Sequence, residues 1–545
     1  MAKARIRLSV KNAVWITLLA AVLLVVGINL FARASLPDDP REQIERLREA
    51  DLYYRAEAIY ERLLAEAPLD LDLNYDYIQN HFDIESDSAS SRDDEAIWQR
   101  YVGLTAQAGA EDVGLYCLGL LRSLDGDYSG ALQHYEQVQN RDQKYLNNSI
   151  GYVLVRLGRE DEAERHFRRE IALDGNVGGA VSNLSRLYVN RGAMEDLKAL
   201  ADDERTARYM SLGTLRWLAL RSGDALPYLR LTFVLPLRNI RVDAALVSLF
   251  ICAMWFIFLW RIDLFEQEPL PVALAALALG ALSAPFSSIL SDLLEIVLPM
   301  QLNGGLLNDL VYSILHIGLI EEIAKFIPAL LIVHGTRQVN EPLDMVVYGA
   351  LAALGFATLE NSLYFTGYGL GIVFVRFLIS TVLHMSLTAY ICYAWAKARY
   401  IAPRTAAGPV LMALVFATVA HGLFDYFLIG PLEGVSIFSI LILAFMAMAL
   451  GRMITNTLNF SPHFSPNLSA SGRLRNYGLL VATSVALVSI AYVYDNFRLS
   501  TELANLKLLQ TAMSTWVSAA IVFGALGEIG LKEGSLASLW KSKGG

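Results

Sequence analysis

The chain has 545 residues, of which 54% are hydrophobic and 18% charged, with a formal net charge of -9. Soluble proteins carry about 25% charged residues, so this shortfall, with the apolar residues gathered into blocks, excludes a single soluble globule and a disordered chain. The acidic balance leaves no basic surplus to neutralise phosphates, which argues against a nucleic-acid partner, and three cysteines exclude a disulfide scaffold.

A membrane helix needs about 20 mostly apolar residues, and the sequence holds ten such runs. The first, Asn12 to Phe31, follows Lys3, Arg5, Arg7 and Lys11 in the manner of a secretory signal. Its length and the weak cleavage motif after it favour an uncleaved membrane anchor over residues 1–31. Residues 32–241 are polar and read as amphipathic helices. Ala56, Tyr60 and Pro68 have the spacing of the second helix of a tetratricopeptide unit, and Ala131 with Tyr135 and Ala163 with Phe167 repeat its small-then-aromatic step. The small residue lets paired helices approach and the aromatic fills the groove against the next pair, which predicts a TPR-like α-solenoid. Its concave face would bind a protein or peptide ligand. His81, His134 and His166 are scattered through it and read as packing or surface residues.

Nine further runs lie near 243–260, 270–290, 308–333, 345–366, 370–395, 408–429, 434–452, 477–494 and 510–529. With the first residue inside, the inner loops hold Arg261, Arg337, Lys397, Arg399, Arg404, Arg452, Arg473, Arg475, Lys532, Lys541 and Lys543, whereas the short outer loops near 291–307, 366–370 and 430–433 hold no Lys or Arg. That bias predicts cytoplasmic N- and C-termini and an extracytoplasmic 32–241 domain. The predicted fold is therefore all-α: a polytopic membrane helix bundle of about ten spans carrying an extracytoplasmic TPR-like domain. Residues 242–455 form its core, and residues 456–545 add a cytoplasmic loop and two extra spans.

Ionisable residues inside apolar runs each cost roughly 2.5–3.5 kcal/mol at the bilayer centre, so several at one depth point to a shared site. The 308–333 run contains Glu321 and Glu322, with Lys325 one turn beyond Glu321. Adjacent helical residues point about 100° apart, so one carboxylate can face a cavity while the other braces a neighbour. The next run holds Glu360 and Asn361, and Glu360 has no cation within a turn of it, so its partner comes from another helix or from a metal. Gly349 and Gly355 on that run permit close helix approach. His384 and His421 follow on the next two runs, with Asp425 one turn past His421, where a carboxylate can accept the second imidazole N–H and fix the tautomer. His316 is held in reserve, and Asp309, near an outer end, is expected to be solvated. Glutamate can take a proton from water, and Glu and His are zinc ligands. Hydrolysis at membrane depth is the reaction class that suits this set. A proton-coupled transporter or a non-enzymatic scaffold is the alternative class.

Glu321-Glu322-x-x-Lys325, Phe356-x-x-x-Glu360-Asn361, His384 and His421-x-x-x-Asp425, ordered on four successive helices, resemble the PrsW family of intramembrane proteases, within the superfamily of the CAAX prenyl proteases and bacteriocin-processing enzymes. Glu266-Gln-Glu268-Pro269 resembles the acidic element that begins the family's core, here residues 242–455. The resemblance implies a multi-pass bacterial plasma-membrane peptidase acting on a membrane-anchored protein, such as the anti-sigma factors that some members cleave. By analogy, Glu321 and Glu322 activate water, while Glu360, His384 and His421 bind metal or stabilise the oxyanion, supported by Lys325, Asn361 and Asp425. Both a zinc-bound water and a metal-free, glutamate-activated water suit this set.

Overall fold

The computed structural model describes residues 10–84, 93–263, 265–429, 436–465, 469–527 and 531–536. It is all-helical, with no strand among the described residues. The chain divides into two compact units: Leu36–Leu235, and a second unit of Met1–Ser35 with Pro236–Gly545.

The Leu36–Leu235 unit is a run of short helices from Pro40–Arg48 to Ala225–Leu229. Local chemistry sets their starts. Asp70, Asp93, Asp127, Asn176 and Ser211 each accept the amide three residues on as N-caps. The small-and-aromatic pattern has a packing cause. Ala131, Tyr135, Ala163 and Phe167 are fully buried, and a Cβ on Gly119 or Gly151 would collide with the ring of Tyr135 or Phe167 respectively, so the two contacts recur 32 residues apart. Of the scattered histidines, His81 is buried between Glu57 (2.7 Å) and Asp94 (3.1 Å), and His166 meets Asn147 at 2.9 Å. The buried Cys117 is free.

In the second unit, seven helices among the described residues are long and apolar enough to cross a membrane: Val242–Ile262, Leu270–Val297, Pro342–Tyr368, Val375–Ile401, Ala407–Leu428, Ile437–Asn459 and Leu480–Arg498. The other predicted runs are helical but fall outside that set. The apolar part of the first, Trp15–Phe31, is shorter. The 308–333 run is divided into Leu306–Tyr312 and Ile320–Gly335 by a widened, π-helical stretch at Ser313–Leu319. The last is Thr501–Gly527.

The Pro342–Tyr368 helix is the centre of this unit and is buried along most of its length. Two close approaches set the bundle's geometry. A Cβ on Gly280 would sit 1.9 Å from the Ala352 carbonyl oxygen, and one on Gly355 would sit 1.9 Å from that of Leu277, so the Leu270–Val297 and Pro342–Tyr368 helices touch backbone to backbone. A Cβ on Gly318 would sit 2.4 Å from the Thr418 carbonyl oxygen and one on Gly422 2.4 Å from the Ile314 Cα, which draws the π-helical stretch onto the Ala407–Ile429 helix. Small residues at such crossings let dispersion contacts replace the hydrophobic drive that lipid does not provide. Elsewhere, the Val10–Phe31 helix is fastened to the last two helices. Asn29 Nδ2 donates to the Tyr492 hydroxyl (2.8 Å), Asn505 Nδ2 donates to Asn29 Oδ1 (2.8 Å), and Thr501 and Ala34 exchange two hydrogen bonds.

Candidate functional site

The Gly318–Gly422 contact has a direct chemical consequence, because it brings the first turn of Ile320–Gly335 against the middle of Ala407–Ile429. Lys325 Nζ, wholly buried, lies at the focus. It is 2.8 Å from Glu322 Oε1, 2.7 Å from His384 Nδ1, 3.3 Å from Glu321 Oε2 and 3.5 Å from His421 Nδ1. The expected Lys325–Glu321 pair is present, but Lys325 is closer to Glu322. The adjacent carboxylates diverge as helical geometry requires. Glu322 is fully enclosed and is also bonded by Thr388 Oγ1 (3.1 Å), whereas Glu321 keeps 18% of its side chain exposed.

The two imidazoles meet edge to face with centroids 5.1 Å apart. The ammonium of Lys325 donates to His384 Nδ1, so Nε2 carries the proton and donates to Glu360 Oε2 at 3.0 Å. His421 is held on both nitrogens, by Glu322 at Nδ1 (2.9 Å) and by Asp425 at Nε2 (3.3 Å). Glu321 Oε2 is within reach of both rings, 3.6 Å from His421 Nε2 and 3.9 Å from His384 Nδ1. Phe356 walls the site, its ring 4.9 Å from Lys325 Nζ and 5.9 Å from that of His384.

The cation facing Glu360 is Arg376, which the hydropathy reading passed over. Its Nη2 donates to Glu360 Oε2 and its Nε to Asn361 Oδ1, both at 2.6 Å, and its guanidinium lies over the Tyr364 ring. The available signal was the one used for the other residues: an ionisable side chain inside an apolar run.

Two residues flanking the site go elsewhere. His316 Nε2 donates to the Leu298 carbonyl (3.1 Å) and its ring stacks on Tyr312, away from the cluster. Asp309, expected to be solvated, is buried, because the backbone at Asn303 and Gly304 turns back and donates two amides to its carboxylate, both at 3.0 Å.

One oxygen of Glu321 and one nitrogen each of His384 and His421 lie within 4.8 Å of one another. That two-imidazole, one-carboxylate set matches what zinc takes in catalytic centres, with a fourth position left for water. Glu360 stands outside that trio, bonded to the far nitrogen of His384 in the place of an orienting partner.

Comparison with known proteins points the same way. A profile described as PrsW family intramembrane metalloprotease matches residues 268–450. The chain is 32% identical to "Protease PrsW" of Bacillus subtilis (strain 168) over 167 residues, which are 30% of this chain and 73% of that protein. It is 30% identical to "Protease PrsW" of Clostridioides difficile (strain 630) over 176 residues, 30% of this chain and 71% of that protein. It is 26% identical to the protein of that name from Geobacillus kaustophilus (strain HTA426), over 31% of this chain and 72% of that one. The matched segment contains every residue of the cluster, and the chain belongs to the PrsW family of intramembrane metalloproteases, which are peptidases.

Proposed function

We propose that this protein hydrolyses a membrane-anchored protein substrate at the cluster of Glu321, Glu322, Glu360, His384 and His421. The observation that carries this is the convergence of Glu321, Glu322, His384 and His421, from three helices, onto the buried ammonium of Lys325, with Glu360 joined to them through His384. Glu321, partly exposed and shared by both imidazoles, is the carboxylate placed to take a proton from water. Glu322 and Asp425 fix the His421 ring, and Glu360 fixes that of His384. Lys325 is placed to offset negative charge on the scissile carbonyl oxygen, and in a dry site that offset is large. In the metal-bound alternative Glu321 would instead be a ligand, holding zinc together with His384 and His421, and the metal when bound would lower the pKa of water toward neutrality and polarise a carbonyl.

The same reading takes the chain as about ten spans with both ends cytoplasmic and residues 32–241 outside. The 32-residue recurrence at Gly119 and Gly151 supports a TPR-like unit in that region, suited to recruiting a protein or peptide. Domain limits of 1–31, 32–241, 242–455 and 456–545 follow from it. The test is comparative membrane proteomics of cells carrying the wild type or Glu322→Gln, followed by cleavage of the substrate so found by Glu321→Gln, Glu322→Gln and His421→Ala. Each variant is expected to insert and to lose cleavage. Undiminished cleavage by all three would leave a scaffold or transporter in place of an enzyme.

A further inference from the structure

A second buried acidic cluster lies at the end of the bundle where the loops 263–269 and 336–341 meet. Asp263, Glu268 and Asp344 present one oxygen each within 4.8 Å of one another, and all three are buried. Glu341 is fully buried beside them, sharing a reciprocal capping box with Asp344. Among the described residues no Lys or Arg forms an ion pair with any of the four. Each carboxylate has one oxygen on a protein donor. Asp263 Oδ1 takes the amides of Phe265 and Glu266, Asp344 Oδ2 takes those of Asn340 and Glu341 (both 2.8 Å), Glu268 Oε2 takes the Tyr348 hydroxyl, and Glu341 Oε2 takes that of Ser461.

The remaining oxygens decide the question. Asp263, 3% exposed, leaves Oδ2 with no partner, and wholly buried Glu341 leaves Oε1 with none. A buried carboxylate oxygen without a partner is costly. One proton shared between Glu268 and Asp344 would settle that contact and still leave these two oxygens bare. A divalent cation held by Asp263, Glu268 and Asp344 would offset the negative charge buried here.

We propose that Asp263, Glu268 and Asp344, with Glu341 against them, form a binding site for a hard divalent cation, Ca²⁺ or Mg²⁺, separate from the hydrolytic cluster. Oxygen-only ligands of this charge select those ions over zinc or copper. Half-exposed Glu266, paired with His463 at 2.7 Å, stands at the solvent side of the loop. Asp344 and Glu360 are on one helix sixteen residues apart, so the two sites are about 24 Å apart along its axis. The cation would tie the loop ends of the Val242–Ile262, Leu270–Val297 and Pro342–Tyr368 helices, the last two of which carry the crossing at Gly280 and Gly355.

The test uses the purified full-length protein in detergent with Tb³⁺ as probe, since Tyr348 and Trp260, bonded to Glu268 at its side chain and at its backbone carbonyl (2.8 Å), are placed to sensitise its luminescence. Saturable luminescence is expected, displaced by Ca²⁺ or Mg²⁺, with the more effective ion naming the native one. The same ion should raise the thermal midpoint of the wild type. Asp263→Asn should lose both effects, and Glu341→Gln, which keeps the capping geometry, should weaken them if the first variant fails to fold. A His384→Ala protein should keep both, which separates this site from the hydrolytic one. Absence of luminescence and of any thermal shift, or persistence of both in Asp263→Asn and Glu341→Gln, would overturn the proposal in favour of carboxyls neutralised by protons alone.

Discussion

Replacing Arg376 by alanine is the sharpest probe of how the proposed hydrolytic cluster is held. Its guanidinium binds Glu360 and Asn361 at 2.6 Å each, and Glu360 in turn receives the Nε2 proton of His384 at 3.0 Å. Removing one partner of a buried ion pair costs about 3–5 kcal/mol. The low end applies, because Glu360 keeps its imidazole donor and is 18% exposed. The effect on turnover comes through ring orientation. Losing a partner that aims a working histidine lowers activity about 10–100-fold, equivalent to about 1.4–2.7 kcal/mol in the barrier. Lysine restores the charge but not the fork that reaches Glu360 and Asn361 together, so Arg376→Lys should recover most of the lost stability and little of the lost rate. The assay is kcat and KM on the substrate found by proteomics, with a detergent melt beside it. The fall should appear in kcat. Arg376→Ala protein that turns over at the wild-type rate would refute the chain from Arg376 through Glu360 to His384.

Gly355→Ala should lower the melting temperature, because the new methyl would meet the Leu277 carbonyl oxygen at 1.9 Å and the helices must part; overpacking of this kind costs about 1–3 kcal/mol, read by thermal unfolding. Purified wild-type protein should carry about one zinc per chain, lost in His384→Ala, as read by elemental analysis; a metal content unchanged by the substitution would remove His384 from the ligand set. In the Leu36–Leu235 unit, burial, with Arg169 and Arg165 nearby, holds the pKa of His166 below its ordinary value. The unfolded state therefore binds the extra proton first, so this contribution is present above about pH 6.5 and is lost as pH falls through the lowered folded value. His166→Gln should flatten that acid-side loss, measured by hydrogen exchange in Leu146–Arg156 and Glu160–Ala172.

The glutamate–histidine cluster was legible because charge in an apolar run is conspicuous. Glu321, Glu322, Glu360, His384 and His421 stand out one by one, and the structure places them together. What a linear reading lacks is the identity of neighbours. Lys325 looked like a partner for Glu321 at helical spacing, yet the fold gives it four contacts. Glu360 was expected to find its partner on another helix or in a metal; the following helix supplies Arg376, a choice spacing alone could not make, and the trio of potential ligands contains Glu321 rather than Glu360. Asp309 looked solvated because its burial depends on a loop turning back, and hydropathy carries no record of loop conformation. The break at Ser313–Leu319 was hidden for a similar reason: its residues are as apolar as those of an unbroken helix.

The fastening of Val10–Phe31 to the last two helices bears on how the molecule is made. Asn29 and Asn505 are separated by 476 positions in the chain, and a polar side chain taken out of water needs a partner. A nascent helix emerging with Asn29 has only the Val25 carbonyl, 2.9 Å away in its own preceding turn, to bond that side chain. The other half of its amide waits until Tyr492 and Asn505 have been synthesised and inserted. Early and late segments thus close a seam that stays open until residue 505 has been made.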